Sequence, residues 1–320
     1  DIAAEYYEAG FTENGIDIDK MTTFYNTILA QPYRQGANTN EWRGKFEESQ
    51  NSPYRRGDIP EWVNFVTTGS DLQGDRIETQ IIGWGKRGRH LTIDYRIIQV
   101  PNDEDITILN GEAWERYKEE IINAVWERED GLRLRSVMNA LDSSFQSDTV
   151  YGFYLSLSPE ERSRFFPIKG RDNMTGYMST QREVHDAGLS GARFWFVPVS
   201  TLKQAVFLHL AEKDNEDHTK AFIAFFPADF NQEFYMQLYS EDYKKVGKKF
   251  VWEKNRDRNE VLDTTVYNYA MYHLLGLAQM KDEDWDDIAR GQKEALKNMN
   301  ALKPKIKQKN RRRISQGIEI

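Results

Sequence analysis

The sequence predicts an α/β protein with a mixed central sheet flanked by helices. Three observations carry this. A β-branched run closing in Gly69-Ser70 opens a three-strand meander over 62–68, 77–84 and 90–100, and such residues suit a pleated, half-buried surface. Beyond it, short apolar runs alternate with segments whose apolar residues recur at helical spacing. Strands alternating with helices after a meander imply a sheet whose strands run in both directions.

The elements follow in order. Residues 1–60 read as a lead-in: one helical piece over 18–29, then polar loops rich in Asn, Gly and Arg up to Pro60. The last two meander strands are joined by the turn Lys86-Arg87-Gly88-Arg89. A helix is expected over 111–128 from Trp114, Tyr117, Ile121, Ile122 and Val125. A fourth strand over 132–141 ends in Asp142, and Ser143-Ser144 precede a helix over 150–155. A short strand over 165–168 leads into Lys169-Gly170-Arg171, 171–191 reads as loop, and 193–199 as an aromatic-rich strand. Then come helix 202–210, strand 221–226, helix 233–240, strand 250–253, a long apolar helix over 259–278 and a polar helix over 285–302.

Bulk properties narrow the function. With 320 residues, 39% hydrophobic and 13% aromatic, the chain has ample material for a core. No window approaches the ~20 apolar residues of a membrane span, and the polar, acidic start carries no secretory signal. The missing initiator Met suggests a processed chain or an excised fragment. Absence of cysteine excludes disulfides, a thiol nucleophile and a Cys-based zinc site. A net charge of −8 argues against a generic nucleic-acid coat but not against a nuclease, which needs acid for its metals and only a local basic track. The charge is uneven. Lys303, Lys305, Lys307, Lys309, Arg311, Arg312 and Arg313 crowd the C-terminal tail, behind an acidic run of Asp282, Glu283, Asp284, Asp286 and Asp287. Such a tail suits DNA phosphates or an acidic partner, and equally a solvated end.

Acidic residues recur at element ends: Asp71 after the first strand, Asp142 after the fourth, and Glu260 with Asp263 in the first turn of the long helix. Carboxylates are hard oxygen ligands suited to Mg²⁺ or Mn²⁺, and two-metal phosphodiester hydrolysis needs such a set, with ions about 3.5–4 Å apart. Each also has an ordinary explanation. Asp71 could form a turn, Asp142 could cap a helix, and Glu260 sits where a helix favours negative charge. Asp263, flanked by Val261, Leu262 and Val266, is the hardest to place without a partner. The five histidines show neither HExxH nor HxH spacing, and His209 lies in an apolar run as a core histidine would. There is no GxSxG elbow and no phosphate loop for ATP. Lys169 is a lone basic residue at a strand end, a phosphate contact or a surface lysine.

These residues also fall into an ordered series of motifs. Phe24-Tyr25-Asn26-Thr27 with Gln31-Pro32-Tyr33 precedes Tyr54, Gly57 and Pro60. Gly69-Ser70-Asp71-Leu72-Gln73 with Arg76-Ile77-Glu78 follows, then Gly83-Trp84-Gly85, Ile93-Asp94-Tyr95, Asp142-Ser143, Ile168-Lys169-Gly170 and Arg258-Asn259-Glu260-Val261-Leu262-Asp263. In order and spacing, from about residue 20 to 278, the series resembles the C-terminal nuclease region of the large terminase subunit of tailed bacteriophages, of the lambda-like GpA type. The resemblance implies a ribonuclease-H-like sheet and a metal-dependent endonuclease that cuts concatemeric double-stranded DNA during packaging. It puts the essential acids at Asp71 and Glu260, with Asp142 and Asp263 as further metal-site candidates using Mg²⁺ or Mn²⁺, and the nuclease-region lysine at Lys169. It implies DNA, the small terminase subunit and the portal or prohead as partners, no membrane, and the host cytoplasm as location. By the same resemblance 1–60 is a linker from an absent ATPase domain, 61–280 the nuclease domain, and 281–320 a C-terminal helix and basic tail. There are departures. Ser70 replaces an apolar residue, the loop after Asp142 lacks the family's glycines, and Thr264 stands in place of a Cys. The competing readings are another nuclease on the same fold, such as a resolvase or transposase core, and a non-catalytic DNA- or portal-binding module.

Overall fold

The computed structural model describes residues 11–12, 15–16, 20, 41–186, 188–212, 221–246 and 249–302. The helix expected over 18–29, the motifs between Phe24 and Tyr33, His218 and the basic tail from Lys303 lie outside the described residues.

A two-residue hairpin, β1 (Phe11–Thr12) and β2 (Gly15–Ile16), and helix α1 (Glu41–Ser49) precede the sheet. The meander is β3 (Phe65–Leu72), β4 (Arg76–Trp84) and β5 (His90–Gln99). It is followed by α2 (Glu112–Tyr117), β6 (Val125–Glu127), β7 (Arg133–Asp142), α3 (Ser147–Ser156), α4 (Pro159–Ser163) and β8 (Phe165–Gly170). Next come β9 (Thr180–Glu183), β10 (Arg193–Val197), α5 (Val199–Ala211), β11 (Ala224–Phe225) and α6 (Gln232–Leu238). A hairpin of β12 (Glu241–Val246) and β13 (Lys249–Lys254) leads into α7 (Glu260–Leu274) and then α8 (Asp282–Leu302).

Nine of the described strands form one sheet, in the order β11-β5-β4-β3-β7-β8-β10-β9 with β6 beside β7. β3, β4 and β5 pair antiparallel, whereas β3–β7, β7–β8 and β8–β10 pair parallel. This mixed order, a meander continued by parallel strands, is consistent with a ribonuclease-H-like fold. The carboxyl ends of β3, β7 and β8 therefore open at the same edge, where α/β sheets bind ligands.

Both faces are covered. α5, α6 and α7 bury one face around Val261, Leu262, Val266 and Ala270. α2 and α3 bury the other around Trp114, Tyr117, Phe153 and Phe165. Burial on both sides explains why β3 is nearly continuously buried rather than alternating. α8 docks at the meander. Trp285 meets Phe65 edge-on at 5.6 Å, and its acidic first turns pair with the turn after β4, Asp286 with Lys86 at 2.9 Å and Asp282 with Arg87.

Several elements differ from the sequence expectation for local reasons. The expected helix over 111–128 leaves α geometry after Tyr117, widens into a π-turn over Lys118–Ile122, and gives way to β6. Asp130-Gly131 is the cause: Gly131 takes φ 87 and Arg128 N–H bonds Leu132 O, closing a tight β6–β7 turn. β3 starts at Phe65 and runs to Leu72, so Asp71 lies within it. The loop over 171–191 contains the edge strand β9, and Phe222, at φ 59, shortens the strand expected over 221–226 to two residues. β12, whose charged sequence hides it, completes a hairpin with the expected last strand.

α7 lies directly on β3 because Gly69 has no side chain. A Cβ there would intrude on the Thr264 carbonyl oxygen and stand 2.8 Å from Asn268 Nδ2. Gly69→Ala should therefore cost about 1–3 kcal/mol, as overpacking does, lowering the melting temperature and shifting α7. A melting temperature equal to that of the parent would show that the contact does not constrain the helix.

Candidate active site

The α7–β3 contact is fixed by a buried polar network as well as by Gly69. Trp84 Nε1 donates to Thr67 Oγ1 at 2.8 Å, and Thr67 Oγ1 donates to Asn268 Oδ1 at 2.7 Å. Asn268 Nδ2 donates to the Gln80 carbonyl at 3.1 Å, while Thr265 Oγ1 donates to Gln80 Oε1 at 2.7 Å. With α7 so registered, its first turn sits over the end of β3. The positive end of the helix dipole then favours the carboxylates there.

Asp71 faces α7, because side chains alternate along a strand and Gly69 on the same face meets the helix. The intervening Ser70 faces the other way and accepts from Tyr117 Oη at 3.0 Å. Ser70 pairs with Leu141, so Asp71 and Asp142 follow side by side on parallel strands about 4.8 Å apart. Asp142 turns to the same helix, accepting from Tyr267 Oη at 3.0 Å. Its other oxygen accepts from Ser144 N–H and Oγ–H at 2.9 and 2.8 Å, a local turn rather than a cap of α3.

Two groups of carboxylates emerge. In the first, Asp71, Asp142 and Asp263 repel one another. Asp71 is 8% exposed and accepts from the Gln73 amide. Its pKa is pushed up to about 8, chiefly by burial, then by Asp263 and Asp142, with Glu260 contributing least. Asp263 is pushed up to about 6, again chiefly by burial, against the pull of Lys203. Asn259 Nδ2 donates to Asp263 at 2.7 Å and to Glu241 at 3.0 Å. Lys203 Nζ sits 2.8 Å from both Glu241 oxygens and 3.5 Å from Asp263. Lys254 donates to Asn259 and also acts on Asp263. Around this point four carboxylates face two ammonium groups, leaving negative charge in excess.

The second group is neutralised. Glu260 pairs with Arg76 at 2.8 Å and Arg258 at 3.3 Å. The fully buried Glu78 pairs with the same two arginines, each at 2.5 Å, and accepts from Tyr95 Oη. Glu78 stands opposite Asp71 across the β3–β4 pair, so the two groups adjoin. Lys169 is at the same sheet edge but on the other face, its ammonium 5.5 and 5.4 Å from the rings of Tyr151 and Phe194. His209 and His90 share Tyr269 Oη in the core and have no place in the site.

Sequence reasoning gave no role to Lys203, Glu241, Glu78, Arg76 or Arg258. Lys203 carried a signal, a lone cation within an apolar helix. Glu78 carried another, a carboxylate in a strand of otherwise buried residues. Among the described residues no group of three Asp, Glu or His side chains is arranged to hold a metal ion as the chain stands. The acids suit a hard divalent cation in ligand type and in charge, as an open set rather than a closed cage.

The raised Asp71 pKa has a stability consequence. A carboxyl whose folded pKa exceeds its unfolded value binds more protons when folded, so stability falls as pH rises between the two values. Between pH 6 and 8, above the Asp263 range, chelated protein should lose stability with a slope approaching ~1.4 kcal/mol per pH unit from Asp71. Asp71→Asn should flatten that slope in thermal melts. Parallel melting-temperature profiles for the two proteins would contradict the assignment.

Comparison with known proteins gives the family. The family model described as terminase large subunit gpA, endonuclease domain, matches residues 1–285. The terminase large subunit of Escherichia phage lambda is 24% identical over 272 residues, 81% of this chain and 39% of that protein. The terminase large subunit of Enterobacteria phage P21 is 24% identical over 227 residues, 66% of this chain and 33% of that protein. The chain thus spans well under half of the curated relatives it matches, and no solved structure matches it. The chain belongs to the family of terminase large subunit gpA endonuclease domains.

Proposed function

We propose that this chain is a divalent-metal-dependent DNA endonuclease that cuts concatemeric double-stranded DNA for packaging into a phage prohead. The observation that supports this reading best is the crowding of Asp71, Asp142 and Asp263 around too few cations, beside acids that are fully paired. A buried carboxylate cluster with too few counter-ions is costly. Its position at the carboxyl edge of β3 and β7 is where a ligand would enter.

In this reading Asp71, Asp142 and Asp263 hold Mg²⁺ or Mn²⁺, in a two-metal arrangement. When bound, such ions lower the pKa of water and offset charge on the phosphate. The chain's own residues do the rest. Tyr267 and Ser144 orient Asp142, while Lys203 and Asn259 orient Asp263. Gln73 holds Asp71. Lys169, on the far face, would meet DNA only where the duplex crosses the sheet edge. We further propose the lead-in over 1–60, the nuclease domain over 61–280 and the C-terminal segment over 281–320 as functional divisions. The expected partners are a small terminase subunit and the portal, in the host cytoplasm. Within the described residues, no helix is long and apolar enough to cross a membrane.

Cleavage of plasmid DNA should require Mg²⁺ or Mn²⁺ and stop in excess chelator. Asp71→Asn, Asp142→Asn and Asp263→Asn should each slow it at least ~10²-fold, roughly 2.7 kcal/mol, while folded. Parental cleavage by folded Asp71→Asn would remove the proposal.

Truncation after residue 302, which removes Lys303 to Arg313, should weaken DNA binding and flatten its dependence on salt, since each phosphate contact releases counterions. Unchanged affinity and slope at every salt concentration would show that the tail does not touch DNA.

A further inference from the structure

The two arginines beside the acids are not equivalent. Arg76 is committed in every direction, with Nε on Glu78, Nη1 on Asp75 and Nη2 on Glu260. Arg258 places Nε on Glu260 and Nη2 on Glu78. Among the described residues its Nη1 makes no hydrogen bond, and its side chain is 43% exposed. Glu78 is wholly buried and Glu260 nearly so, so the guanidinium is gripped from below by two carboxylates while its outer edge faces solvent.

Charge balance calls for a second cation beside Glu78 and Glu260, but it does not call for one held at two nitrogens with its third left at the surface. Arg76 alone already bridges Glu78 and Glu260, and Tyr95 completes the shell of Glu78. A second, half-exposed arginine held at two of its three nitrogens is pre-oriented, which lowers the entropy lost when its free edge binds an anion. Guanidinium forks match phosphate oxygens. The position is also right, since Glu78 lies opposite Asp71 across the β3–β4 pair. A phosphate near Asp71 would therefore pass within reach of Arg258.

We propose that Arg258 contacts a backbone phosphate of the bound DNA strand, and that Glu78 and Glu260 are positioning residues that aim its guanidinium. The proposal rests on the nuclease reading above and deepens it. It also gives Glu260 a role distinct from that of Asp263: orientation of a cation rather than coordination of a metal ion.

The test uses the full chain with Arg258→Gln, Arg258→Lys and Glu260→Gln, each checked for folding by thermal melt. In chelator, Arg258→Gln should reduce the salt slope of DNA binding by about one, whereas Arg258→Lys should keep the slope because it keeps the charge. With Mn²⁺, Arg258→Gln and Glu260→Gln should each lower kcat/KM by about 10²-fold, the scale of losing one oriented donor. Neither should change Mn²⁺ affinity measured by calorimetry, and the double variant should be little worse than either single one. Loss of Mn²⁺ binding in Glu260→Gln, or an unchanged salt slope with parental cleavage in Arg258→Gln, would overturn the proposal. Were the parent itself unable to cleave, the nuclease reading would fall, and the salt slope would still decide whether Arg258 touches phosphate.

Discussion

The close seating of α7 on β3 is the constraint on which the site depends. It is made possible by the missing side chain at Gly69 and locked by Asn268, Thr265 and Gln80. Hydrophobic burial around Val261, Leu262 and Val266 holds the helix to the sheet but does not choose its register. Hydrogen bonds are directional, so the polar network makes that choice. One turn of slip would carry Asp263 away from Asp71 and leave Asn268 with an unsatisfied buried amide, a cost of about 1–3 kcal/mol.

Register then decides the electrostatics. Two carboxylate groups a few ångströms apart have opposite fates. Glu78 and Glu260 are balanced by Arg76 and Arg258, whereas Asp71, Asp142 and Asp263 share a site with too few cations. The same local backbone serves both, since Asp71 and Glu78 are cross-strand neighbours and Glu260 and Asp263 lie one helical turn apart. Functional sites are where such unbalanced charge is tolerated, because a ligand completes it.

Much of this was legible in the sequence, and the gaps have physical causes. The meander, the fourth strand and the long apolar helix announced themselves by periodicity, and the four acids by their place at element ends. The helix over 111–128 was overextended because Val125 continues a helical spacing, although Asp130-Gly131 marked the turn that ends it. The hairpin strand β12 went unseen because Glu241-Asp242-Tyr243-Lys244 carries no apolar alternation; what holds it is pairing with β13 and the Lys203–Glu241 ion pair. The division of the acids into a balanced group and one with too few cations could not be read at all. It depends on Arg76 and Glu260, 184 positions apart, meeting in space.

The most direct test of the account is to locate bound Mn²⁺ by its anomalous scattering in crystals soaked with the ion. The account predicts density bounded by Asp71, Asp142 and Asp263, with Glu260 still on Arg76 and Arg258. An ion seated on Glu260 with Asp263 turned away, or none near Asp71 at saturating Mn²⁺, would contradict it.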